Sequence, residues 1–265
     1  MKKIGFYGAG NMAKAMLQGM LASGAYTTEE IIVYNHRYEP TLQKIEEQYQ
    51  VTTTTQEVAF FEQVDIVLFA VKPPILLARL PEIKALLRAE QVIVSVAAGV
   101  TLQQITELIG MHKIIRAMPN TPATVREGMT SLSPNDQVTM EERQAVQRIF
   151  ESFGRAKELP ETQMDAIIGV SGSSPAYAYL FIEALADGAV KEGMKREDAY
   201  EMAAQAVLGA AKMVLETGEH PGVLKDKVCS PGGTTIEAVA TLEAQGFRSA
   251  VIQAVQAAAQ KNREM

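Results

Sequence analysis

The chain is 265 residues long, 47% hydrophobic and 21% charged, a globular composition with room for one to two domains at roughly 150 residues each and none for wholesale disorder. Its 25 basic and 31 acidic residues leave a formal net charge of −6, which argues against a duplex nucleic-acid partner, because neutralising phosphates needs a basic surface. The lone Cys229 and the scattered His36, His112 and His220 exclude an intramolecular disulfide and give no metal-ligand spacing. Gly8, Gly10 and Asn11 break the first apolar run before it can serve as a leader, and no stretch nears the roughly 18 apolar residues of a membrane span. A cytoplasmic protein with no metal and no membrane partner is expected.

In chain order, short Ile- and Val-rich runs at 3–7, 31–34, 66–71, 92–96, 113–117 and 128–132 read as strands, each closed by Gly, Pro, Asn or Ser. Amphipathic stretches at 12–23, 39–49, 75–87 and 102–109 lie between them. The run Ile66–Val71 is apolar throughout, as a strand covered on both faces must be. Strands separated by crossover helices predict a parallel, doubly wound α/β sheet over residues 1–160.

From 161 to 265 the texture becomes Ala- and Leu-rich and all-helical. Ser173 and Ser174 read as caps before Pro175, which opens a helix toward Gly193; a second runs from Arg196 to Gly218, and two more occupy 235–244 and 247–262. Helices with so little polar face predict burial beyond one chain, through a homodimer or larger homo-oligomer built on this domain.

The chemistry begins at Tyr7-Gly8-Ala9-Gly10-Asn11-Met12-Ala13, between a strand and a helix. Gly8 and Gly10 permit a tight turn and close approach to a pyrophosphate, Ala13 allows helix–strand packing, and the helix N-terminus offers free N–H groups to the phosphates. The next strand ends at Asn35-His36-Arg37, with Asn35 about 25 residues after Gly10, near where an NAD-type fold carries a ribose-binding carboxylate. None is present. Arg37 can instead pair with a 2′-phosphate, so NADP(H) is favoured over NAD(H); the lesser alternative is that this arginine is a solvated loop charge.

Three further strand ends share the rim where ligands of open α/β sheets bind. Ala70-Val71-Lys72-Pro73-Pro74 closes one, its prolines stopping the strand; Ala97 and Ala98 end the next with side chains small enough for a flat nicotinamide; Met118-Pro119-Asn120-Thr121-Pro122 ends the third. In the helical half, Val228-Cys229-Ser230-Pro231-Gly232-Gly233-Thr234-Thr235-Ile236-Glu237 carries two glycines before a helix. Thr234 and Glu237 have capping-box spacing. Gly232 and Gly233 would also expose successive N–H groups to a small carboxylate, so a well-capped helix start and an anion site both stand.

Together, Gly8–Ala13, Ala70–Pro73, Met118–Pro122, Ser171–Tyr177 and Leu224–Thr235 resemble, in order and nearly end to end, pyrroline-5-carboxylate reductases. The chain departs from that pattern at Ser174, where the family carries Gly. The resemblance implies a Rossmann-like domain joined to a helical dimerisation domain, and NAD(P)H-dependent reduction of the cyclic imine 1-pyrroline-5-carboxylate to proline. It implies that Gly232, Gly233 and Thr234 hold the substrate carboxylate, that Thr235 meets the imine nitrogen as the catalytic hydroxyl, and that Val228 and Ser230 shape the pocket. Val71, Lys72, Pro73, Ala97 and Ala98 would border the nicotinamide, and Glu161 would stand near the substrate.

Two competitors share parts of this plan. A β-hydroxyacid dehydrogenase would carry an acid/base lysine on its first long helix, but residues 175–190 contain none. A non-catalytic NADP(H)-binding redox sensor would share the first domain and lack turnover.

Overall fold

The computed structural model describes residues 2–264. In chain order the strands are β1 (Ile4–Tyr7), β2 (Ile31–Tyr34), β3 (Thr52–Thr54), β4 (Ile66–Phe69), β5 (Val92–Ser95), β6 (Lys113–Met118), β7 (Gly128–Pro134) and β8 (Gly154–Glu158). The helices are α1 (Asn11–Ala22), α2 (Gln43–Tyr49), α3 (Glu57–Gln63), α4 (Pro73–Ile83), α5 (Leu102–Ile109), α6 (Met140–Glu151), α7 (Met164–Ile167), α8 (Ser174–Lys191), α9 (Arg196–Thr217), α10 (Pro221–Val228), α11 (Thr234–Ala244) and α12 (Phe247–Arg263).

One sheet holds all eight strands in the order β3-β2-β1-β4-β5-β6-β7-β8. From β3 to β6 the pairs are parallel, as the strand–helix alternation predicts. The parallel expectation fails at β7, which runs antiparallel to β6, with Ala117 opposite Leu132. A short 3-10 turn, Thr121–Val125, is all that joins them, and a connection without a crossover helix can only return the chain antiparallel. β8, reached through α6, pairs parallel to β7.

β1, β2, β4 and β5 are buried throughout, and the sheet is packed on both faces. Phe6, Leu17, Met20, Phe150 and Phe153 fill one side beneath α1 and α6; Phe60, Phe61, Phe69, Leu80 and Ile105 fill the other.

The exit of β4 corrects a second expectation. The strand ends at Phe69, Lys72 is the N-cap of α4, and Pro73 and Pro74 open that helix. Their fixed φ and missing N–H suit a first helical turn, so they start a helix instead of ending a strand.

Residues 2–172 with 258–264 form one compact unit and residues 173–257 another. In the second, α8 and α9 make the longest helices, and Phe181 packs on Phe247 with ring centroids 5.7 Å apart. The serine caps before α8 are not formed. Ser173 is helical in φ and ψ and bonds no free amide through its side chain, and Ser174 is already the first helical residue. Ser174 carries no positive φ, so a Cβ where the family has Gly fits an ordinary helix start.

Candidate functional site: a nucleotide cleft and a glycine turn

The strand order reverses between β1 and β4, and there the sheet opens to a ligand. Gly8 follows β1 with φ +109°, and a Cβ on it would stand 2.6 Å from Val71 Cγ1 and 2.8 Å from the Ala70 carbonyl oxygen. Only glycine fits that turn. Gly10, the N-cap of α1, differs: a Cβ there would meet nothing nearer than the Ala70 carbonyl at 3.8 Å. Its missing side chain clears the approach to α1. No side chain caps that helix and its first turn holds no acidic residue, so the amides of Asn11, Met12 and Ala13 and the positive end of the dipole face outward, as a pyrophosphate requires. Ala9 and Ala13 are buried against the sheet.

The Gly8 amide donates to the Tyr34 carbonyl at 2.9 Å, tying this turn to the end of β2. Beyond Tyr34, Asn35 Nδ2 donates to the Arg37 carbonyl at 2.9 Å and shapes a turn that leaves His36 and Arg37 exposed. A cavity of about 370 Å³ opens here, walled by Tyr7, Gly8, Asn35, His36, Val71 and Arg79, with Tyr34 and Ile75 completing it.

Sequence reasoning overlooked part of this wall. Arg79 Nη2 donates to both carboxylate oxygens of Glu57 at 2.7 Å, its Nε donates to the Tyr7 hydroxyl at 3.1 Å, and its Nη1 pairs with Glu82. The Tyr7 hydroxyl donates to Glu57 Oε1 at 2.5 Å. Burial, then the Glu57 carboxylate, pushes the Tyr7 phenol up. Burial would raise Glu57 as well, but hydrogen bonds from Tyr7 and Arg79 outweigh it and hold that carboxyl below the usual range. The available signal was helical spacing: Arg79 stands one turn after Ile75 on α4.

On the other side of the switch point, Ala70 is buried, Val71 and Pro73 are half-buried and Lys72 is exposed. The Ala70 amide donates to the Tyr7 carbonyl and the Val96 amide to Phe69, which brings the ends of β1, β4 and β5 side by side. Ala97 is buried, Ala98 half-buried, and Gly99 turns the chain at φ +75°. After β6, Asn120 is a strut: its Nδ2 donates to the Ser171 carbonyl at 2.9 Å and its Oδ1 accepts from the Met129 amide at 2.8 Å.

Glu161 is half-buried and its partners lie within its own unit. Its Oε1 accepts from Arg116 Nη1 at 3.0 Å and from the Leu102 amide at 2.8 Å, so it holds a buried arginine and the first turn of α5. Arg116 is 4% exposed, and leaving it unpaired there would be costly.

In the second unit, Ser230-Pro231-Gly232-Gly233 forms a tight turn in which Gly232 takes φ +67° and the Gly233 amide donates to the Ser230 carbonyl at 3.0 Å. Proline followed by a positive-φ glycine is the type II pattern. This revises two expectations. The Gly233 amide is engaged inside the turn, so Gly232 and Gly233 do not present two successive free N–H groups. The capping box is also absent, because Gly233 is the N-cap and Thr234 is already helical. The outward amides are instead those of Thr234, Thr235 and Ile236 in the first turn of α11. Val228 and Ser230 are exposed beside the turn, and Thr235 is half-buried.

Among the described residues no group of three or more His, Cys, Asp or Glu side chains could hold a metal, and no helix is long and apolar enough to cross a membrane. A glycine turn feeding an uncapped helix at the switch point of a doubly wound sheet, followed by a helical unit, defines a nicotinamide-dinucleotide oxidoreductase of the two-unit type. Residues 161–265 match the family described as pyrroline-5-carboxylate reductase dimerisation, and residues 3–99 match NADP oxidoreductase coenzyme F420-dependent. The sequence is 52% identical to a pyrroline-5-carboxylate reductase of Escherichia coli, over 100% of this chain and 98% of that one. Similar solved structures include a pyrroline-5-carboxylate reductase from Coxiella burnetii, at TM-score 0.91 and 36% identity over 99% of this chain and 98% of that one. Another is the Plasmodium falciparum pyrroline carboxylate reductase with NADP bound, at TM-score 0.89 and 32% identity over 99% and 97% of the two chains. The chain belongs to the pyrroline-5-carboxylate reductase family.

Proposed function

We propose that this protein reduces 1-pyrroline-5-carboxylate to L-proline with NADPH, the last step of proline biosynthesis, and works in the cytoplasm as a homo-oligomer assembled through its helical unit. Full-length identity of 52% to an enzyme of that name carries the reading. The uncapped α1 terminus and the clearance above Gly10 support the dinucleotide.

When bound, the dinucleotide supplies the hydride; the imine carbon accepts it and the ring nitrogen takes a proton, giving a secondary amine. The protein's share is placement. Gly8, Ala9, Gly10, Asn11 and Met12 would seat the pyrophosphate, Arg37 with Asn35 and His36 would read the 2′-phosphate, and Ala70, Val71, Lys72, Pro73, Ala97 and Ala98 would line the nicotinamide side. On the substrate, the amides of Thr234 and Thr235 would hold the carboxylate at the positive end of α11. Gly232 and Gly233 shape the turn that presents them, and Val228 and Ser230 flank it. The Thr235 hydroxyl would orient the imine nitrogen and relay its proton. An imine is basic enough to be protonated from solvent, so no strong acid is required, and holding the reacting atoms in register is the large contribution. The pairing of Glu161 with Arg116 and Leu102 supports a role in fixing the entry to α5 more than direct substrate contact.

Loss of NADPH absorbance is the test, measured with purified protein and pyrroline-5-carboxylate and repeated with NADH. Turnover to proline with NADPH preferred is the expected result. Tight NADPH binding without turnover would overturn the reductase reading in favour of a sensor.

A further inference from the structure

We infer that Arg79 stacks its guanidinium plane on the adenine of the dinucleotide, and that Glu57 and Tyr7 lock it edge-on for that task. The inference rests on the dinucleotide reading above and adds a residue and a division of labour to it.

Arg79 and Ile75 lie one turn apart on α4 and wall the cavity that also contains Gly8 and Asn35. The cavity therefore continues from the pyrophosphate turn toward the end of β2, where the adenosine half of a dinucleotide belongs. Each of the three guanidinium nitrogens already donates within the protein, Nε to Tyr7, Nη2 to both oxygens of Glu57 and Nη1 to Glu82. Little in-plane donor capacity is left for a phosphate, and two carboxylates offset the charge. The side chain is nonetheless 36% exposed, and with its edges engaged the flat face is what remains to meet a ligand. A planar, delocalised cation suits an aromatic base, which a lysine ammonium does not.

The lock is rigid. The Tyr7 ring packs on Tyr34 and Phe69 with centroids 4.7 and 5.0 Å apart, which fixes the hydroxyl that Nε meets. Glu57 stands in the first turn of α3, so the carboxylate is held by a second element of the same sheet face. Arg37, exposed on the turn after β2, is left to the 2′-phosphate. One arginine reads the base and the other the phosphate.

The test titrates wild type, Arg79→Ala, Arg79→Lys and Arg37→Ala with NADPH, NADH, ADP-ribose and reduced nicotinamide mononucleotide, and follows thermal melting of each variant. Arg79→Ala should weaken NADPH, NADH and ADP-ribose by a common factor of roughly ten, leaving the mononucleotide unchanged. Arg79→Lys should recover little of the loss, because charge without a plane cannot stack. Arg37→Ala should weaken NADPH alone. A loss at Arg79 confined to NADPH would make it a phosphate reader, and an equal loss for the mononucleotide would mean a general collapse of the pocket; either result, or no change, overturns the inference. Wild type that binds neither dinucleotide would instead fail the parent reading.

Discussion

The two units bury themselves very differently. In the nucleotide-binding unit, phenylalanines at 6, 60, 61, 69, 150 and 153 are all nearly inaccessible. In the helical unit, the buried apolar residues are alanines, Ala186, Ala199 and Ala203, while Leu180 is 68% and Met202 61% exposed. Most large apolar side chains exposed among the described residues fall in this shorter unit. The first unit closes its own core. The second presents one, and small residues between its helices bring the backbones close while the large ones face outward, the pattern of an obligate interface.

That contrast is open to direct attack, most severely from its apolar side. Met202→Asp together with Leu180→Asp should dissociate the assembly, weakening self-association by more than about 100-fold, since each large side chain is worth roughly 1.5–3 kcal/mol when buried. Sedimentation would read this out, and a variant that keeps its mass would show that the exposed face is not the interface. The equivalent insult in the first unit, Phe150→Ala, should act on folding instead, costing about 3–5 kcal/mol whatever the protein concentration, as denaturant unfolding would measure.

Chemistry divides along the same line. Thr235→Ala, in the helical unit, should lower kcat by roughly 100-fold, the low end for a positioned proton relay, and leave NADPH affinity unchanged by fluorescence titration. Arg37→Ala, in the other unit, should do the reverse, weakening NADPH about tenfold as a charged hydrogen bond is lost and sparing NADH. Loss of NADPH binding in the Thr235 variant would break the division.

The smallest effect concerns pH. Glu57 has its folded value held below the ordinary 4.5, so its stabilisation is fully present above the unfolded value and drains as pH falls through the folded one. Glu57→Gln should therefore lower the melting temperature near neutrality by a few degrees and flatten the acid-side decline below about pH 4.5. An unchanged slope would show that the pair with Arg79 contributes nothing to stability.

Much of this was legible in the sequence because the period and the punctuation agree. Ile66–Phe69 and Val92–Val94 are continuous apolar runs, and Gly8 stands between a strand and a helix. β3 and β8 were not legible: Thr52–Thr54 is short and polar, Gly154–Glu158 is three parts charge, and only pairing to a neighbour makes either a strand. α3, α6 and α10 also escaped the pattern, α10 because Pro221 and Gly222 mask an eight-residue helix. At the site, the glycine turns and strand ends could be read. The Gly233 amide could not, because which carbonyl an N–H meets depends on a turn that closes three residues back, and the network around Arg79 could not, because Tyr7 and Glu57 reach it from two other elements, β1 and α3.

The path of the chain has a consequence of its own. It leaves the first unit after Gly172 and rejoins it at Ala258, where Asn262 Nδ2 donates to Asp165 Oδ1 at 2.6 Å. Topologically the helical segment is a cassette spliced into its host, anchored at both junctions. Clipping the final turn of α12 would thus injure the nucleotide-binding half before the half it follows in sequence, and a chimera exchanging the helical cassette must carry two seams in place of one.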